Sequence, residues 1–156
     1  MRLFLAVVTV CLTSVLASAS SERPVSVQAR AKGAQRVVVA TIVEVRPRFH
    51  VNEFGDRLIV SDTLVQIDET LKGPGASMLE VTLEGGTIGD LTLNVSDMPS
   101  LRAQERAVLF LEQTPSGVLV PHGRGLGVVK LDKSDRADGT DVTLAEIRSA
   151  VRAAVK

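Results

Sequence analysis

His50, His122 and Cys11 are the side chains in this 156-residue chain best suited to metal ligation or nucleophilic chemistry. Neither histidine belongs to an H-E-x-x-H pair, and they stand far apart in the chain. A metal site would need both, together with a carboxylate such as Glu53 or Asp56. A Ser-His-Asp triad would need one of them, yet no spacing selects a serine partner and no G-x-S-x-G turn is present. The residues therefore favour a chain that is not an enzyme. The alternative is a small metal-dependent or hydrolytic enzyme using His50 or His122. No cofactor is implied and no metal ligand is assigned.

Two glycine-rich stretches could approach a ligand closely. Gly123-Arg124-Gly125-Leu126-Gly127 is not G-x-G-x-x-G and lacks the Gly-Lys-Ser/Thr that cradles phosphate. Gly85-Gly86-Thr87-Ile88-Gly89 is of the same kind. Both read as turns with close backbone approach. As loops on a rigid scaffold they supply the best contact surface, made of Gly85, Gly86, Gly89, His122, Gly123, Arg124 and Gly125. The acidic stretch 132–141 superficially resembles a calcium loop. With Gly139 in the sixth place, however, Ser134 and Arg136 fall on ligand positions, so it reads as a solvated linker.

The chain carries 18 basic and 18 acidic residues, a formal net charge of zero, and its only aromatics are four Phe. A neutral chain with few stacking platforms argues against a nucleic-acid partner. A 45% hydrophobic share is enough for a core.

Met1-Arg2, an uncharged apolar run from Leu3 to Leu16, and Ala17-Ser18-Ala19 have the order of a secretory signal peptide over 1–19, with Ser20 first after cleavage. The run is short of the roughly 20 apolar residues of a membrane span. Val10 before Cys11 does not suit lipidation. Cys11 leaves with the signal, so the exported chain has no cysteine. The expected location is periplasmic or extracellular, with no membrane span after cleavage.

The elements that must position these residues are mostly short strands. Residues 20–36 show no period and read as a flexible start, and 37–156 as one β-rich domain. Val37–Val45 is rich in β-branched residues and reads as a buried strand. Between Leu58 and Leu71 the apolar phase changes, which predicts a bulge near Ser61-Asp62. Leu79, Val81 and Leu83 alternate with polar residues, as do Leu91, Leu93 and Val95, and the two runs resemble a hairpin. Arg106–Leu111 reads as a central strand, with short strands at Val118–Val120 and Gly127–Leu131. Thr143-Leu144-Ala145-Glu146 is a capping box opening an amphipathic helix over 143–155. The fold class is mainly β: a small OB-like barrel or sandwich of about seven strands with one C-terminal helix.

Several of these segments carry a resemblance. They are the Val37–Val45 run, Asp62–Gly73 with its Leu71-Lys72-Gly73, Gly85–Gly89, Met98-Pro99 and Glu105–Leu111. Together they resemble exported bacterial β-rich proteins of uncharacterised function that repeat a GTV…LKG…GG.VG…VLLFL pattern. The similarity covers roughly residues 37–131, and its motifs are strand cores and turns. The chain departs from it at Ala40, Asp97, Leu101 and Gln104. More remotely it is similar to the OB-like domains of netrins and metalloproteinase inhibitors, whose zinc-chelating N-terminal Cys has no counterpart here. The resemblance carries over no catalytic residue. The lack of a catalytic constellation, together with a compact barrel bearing glycine-rich loops, leads to the expectation of an exported non-enzymatic binding or accessory module, with another exported protein as partner.

Overall fold

A computed structural model describes residues 26–156. The expected signal peptide, its cleavage site at Ala17, Ala19 and Ser20, and residues 20–25 lie outside the described residues.

The fold is built on one long antiparallel hairpin, β1 (Arg36–Val51) and β2 (Arg57–Lys72). At its tip the Asn52 side-chain oxygen accepts the backbone N–H groups of Phe54 (3.0 Å) and Asp56 (2.8 Å), which fixes the turn. Strand β3 (Met78–Glu84) adds to β2. On the other side of β1 lies β6 (Arg106–Gln113), whose buried run of Ala107 to Leu111 fits a central strand. The far edge of β6 is covered in tandem by β7 (Leu119–Pro121) and β8 (Val128–Leu131). Between β3 and β6, β4 (Gly86–Ile88) and β5 (Leu91–Leu93) form a separate two-stranded flap.

The main sheet runs β3-β2-β1-β6-β7 and does not close into a barrel. Its edge strands β3 and β7 come into contact without pairing. This corrects the OB-like barrel. Strand β7 is three residues long and ends on Pro121, which has no N–H to donate to a closing ladder.

The sheet buries apolar side chains on both faces. Val37, Val39, Val108 and Phe110 face a helical layer, where they meet Leu144, Ile147 and Val151 of α2 (Leu144–Val155). Val38, Ala40, Ile42, Val65, Val81 and Leu109 line the opposite, inner face. On β1 the inward parity switches from even to odd after Ile42, because Val43 is an extra residue against β2. This bulge sits on β1; the ladder's two other register shifts leave Asp68 and Leu71 as the extra residues, on β2, away from Ser61-Asp62. Strand β2 keeps an unbroken register with β3 through 60–66, so the bulge expected near Ser61-Asp62 is absent. The apolar phase breaks there for another reason: Ser61 and Thr63 are polar residues on the inner, buried parity.

Two further expectations change. The run 91–95 does not pair with 79–83, because Gly85 (φ +99°) and Gly86 (φ +140°) turn the chain away from the ladder. The flexible start expected over 20–36 is a helix at α1 (Val27–Gly33). Ser26 caps it by accepting the Ala29 N–H (3.2 Å), and Ala31 and Ala34 are buried. At its other end Lys72 Nζ donates to the carbonyls of Ala31 (2.8 Å) and Ala34 (2.6 Å). The packing stripe is Val27, Ala31 and Ala34, at i, i+4 and i+7, and with two alanines in it the apolar signal is weak. Helix α2 begins as expected, with Thr143 and Glu146 in a reciprocal capping box.

Candidate functional site

Ser61 and Thr63 line a cleft of about 500 Å³ at one end of the inner face. Val45 and Pro47 of β1 and Leu83 of β3 supply its apolar neighbours. The flap contributes Thr87, Thr92 and Leu93, and the following loop contributes Val95, Met98 and Leu101. Glu84 and Arg102 also line it. Single-domain sites for small ligands have this size and this mix of apolar walls with a few polar groups.

The hydroxyls of Ser61 and Thr63 differ. Ser61 Oγ donates to the Gly85 carbonyl (2.8 Å) and so ties β2 to the base of the flap. A Cβ at Gly86 would stand 2.5 Å from that Ser61 oxygen, so the chain passes Ser61 closely because it has glycine there. Thr63 is only 1% exposed, and its Oγ1 has no hydrogen-bond partner among the described residues.

The two glycine stretches meet beside this cleft. Arg124 Nη2 donates to Glu84 Oε2 (2.7 Å), next to Gly85, and Arg124 Nε lies 3.3 Å from Asp97 Oδ2. Gly123, with φ +67°, leads into a short 3-10 turn at Arg124–Gly127. Gly125 and Gly127 are packed inside: a Cβ at Gly125 would sit 1.3 Å from the Asp97 carbonyl oxygen. Of the glycines chosen from sequence, Gly89 at the flap tip stands in open space with φ +57°. Beside it Leu91 is 61% exposed.

His122 is held differently from a loop histidine. Its Nδ1 lies 2.6 Å from Glu112 Oε2, its backbone N–H donates to the Phe110 carbonyl (2.8 Å), and its ring packs on Gly33 of α1. His50 lies on the β1 arm opposite Leu58, and it borders a second cavity of about 390 Å³ with Arg48, Glu112 and Arg124. No serine or threonine hydroxyl is hydrogen-bonded to either ring among the described residues. Ser116, on that cavity's wall, shares its hydroxyl with Thr114 (2.9 Å). No group of three His, Cys, Asp or Glu side chains that could hold a metal ion occurs among the described residues.

Charge on the outer side of the β1–β3 arm is organised across strands. Asp62 accepts from Arg48 Nη2 (3.2 Å) and from the Thr82 hydroxyl (2.7 Å). The Arg48 guanidinium holds the Asp62 carboxyl below the usual carboxylate range against the opposing cost of burial.

Ser61 and Thr63 are the residues that sequence reasoning missed. Their signal was the break in apolar phase between Leu58 and Leu71, assigned to a bulge rather than to polar residues in an inner wall.

No family model matches the chain, and no curated protein matches it. Among the described residues no helix is long and apolar enough to cross a membrane.

Proposed function

We propose that the chain is a non-enzymatic binding or accessory module working outside the cytoplasm, with another exported protein as its partner. The observation that carries this reading is the joined mouth of the sheet. There the Glu84–Arg124–Asp97 contacts bind both glycine stretches into one surface, and the flap presents Leu91 to solvent above the cleft. Export rests on the Arg2-to-Ala19 pattern in the sequence, and the resemblance to exported β-rich proteins supports the same setting.

Affinity capture from envelope and secreted fractions tests the reading. One reproducible partner should be retained by the native chain and by Phe54→Ala at the distant hairpin tip, and lost with Leu91→Asp. Equal retention by Leu91→Asp would remove the flap as the contact.

The alternative, a small metal-dependent or hydrolytic enzyme, draws on the Glu112–His122 contact, an arrangement that can orient a base. Stoichiometric zinc in the purified chain, or a hydrolytic activity abolished by His122→Ala, would favour it.

A further inference from the structure

We propose that the cleft under the flap is a small-molecule site for a mainly apolar ligand carrying one uncharged oxygen, such as an alcohol, ketone or ester, with that oxygen hydrogen-bonded to Thr63 Oγ1. A two-residue period on an inner face calls for apolar side chains at 61 and 63. Ser61 has a structural reason for its hydroxyl, because it holds the Gly85 carbonyl. Thr63 has none: it is 1% exposed and its hydroxyl is unpartnered. Valine has the same shape without a polar group to desolvate. A buried hydroxyl left without a partner makes chemical sense where the complex supplies one.

The surroundings set the class of ligand. Val45, Leu83, Leu93, Val95 and Leu101 supply the apolar part of the walls, and the rest is lined by uncharged polar side chains, Thr87, Thr92, Asn94 and Ser100, which leaves room for the ligand's one neutral oxygen but gives a charge no partner. The charged side chains, Glu84 and Arg102, are both exposed, and Glu84 is engaged by Arg124. A charged group carried down to Thr63 would be desolvated with no counter-ion, so the ligand's buried end is neutral. The volume of about 500 Å³ falls within the roughly 300–1,000 Å³ typical of small-ligand sites. This site lies below the flap and does not depend on the protein partner proposed above. Loss of the oxygen preference leaves capture through Leu91 standing, and loss of capture leaves the oxygen preference standing.

The test is calorimetric titration of the full chain with benzyl alcohol, acetophenone, toluene and benzoate. The native chain should bind the two neutral oxygen compounds more tightly than toluene, by about tenfold for one well-made hydrogen bond, and benzoate least of all. Thr63→Val should erase the preference while leaving toluene affinity unchanged or higher, and Thr63→Ser should keep it. Circular dichroism of both variants checks that they are folded. The proposal is overturned if none of the probes binds, or if toluene binds as well as benzyl alcohol. It is also overturned if Thr63→Val keeps the preference, since the hydroxyl would then be serving a buried water instead.

Discussion

Thr63 and Asp62 are neighbours in sequence with opposite environments, because alternate residues of a strand face opposite sides of the sheet. Thr63 turns inward with an unpartnered hydroxyl. Replacing it with valine should stabilise the chain by about 1–2 kcal/mol, the size of a relieved desolvation cost, read as a rise in the urea midpoint. Asp62 is held in its charged form by Arg48 and the Thr82 hydroxyl. Its folded pKa is lowered, so this stability is fully present above the ordinary carboxylate range and is lost as pH falls through the lowered value. Unfolding midpoints followed from neutral to acid pH should fall less steeply for Asp62→Asn than for the native chain. An unchanged acid limb would show that Asp62 does not contribute to it. Glycines separate in the same way. Gly125→Ala puts a Cβ into the Asp97 carbonyl and should cost about 1–3 kcal/mol or more. Gly89→Ala meets open space and should cost only the roughly 1–2 kcal/mol of a left-handed non-glycine residue.

Among the elements, α1 depends most on a single distant residue. Lys72, in the Leu71-Lys72-Gly73 segment ending β2, donates to the last carbonyls of α1 and so ties the start of the described chain to the sheet. Lys72→Met should cost about 1.5–3 kcal/mol, the size of charge-assisted hydrogen bonds, and should raise amide exchange in 27–33 more than in β6. Thr143→Ala, which removes one half of the α2 capping box, should cost about 1 kcal/mol. These helices show what a sequence discloses. The α2 stripe of Leu144, Ile147 and Val151 and its cap are local patterns and were legible. Helix α1 has only weak local signals, a Ser26 cap and a Val27-Ala31-Ala34 stripe made mostly of alanine, and is held by a residue about 40 positions away that no local pattern discloses. The strands β1, β2, β3 and β6 were legible from β-branched runs and alternation. Their partners were not, because register depends on bulges such as Val43 and on the glycine-directed exit of the chain after β3.

For the whole molecule, the open sheet matters more than the strand count. A closed barrel would seal the inner face. Here the ladder stops between β3 and β7, and the flap and the loop after it cover one end of the inner face while leaving a cleft. Loop composition singles out the two glycine stretches as a contact surface, but not that they meet. The ion pairs joining them through Arg124 could not be read from sequence, since Glu84, Asp97 and Arg124 are far apart along the chain. The most direct measurement is methyl NMR of the full chain titrated with benzyl alcohol. The account predicts shifts concentrated on Val45, Leu83, Leu93 and Leu101, with Ile147 and Val151 of α2 unmoved. Shifts confined to the helical layer, or to the second cavity beside His50, would contradict it.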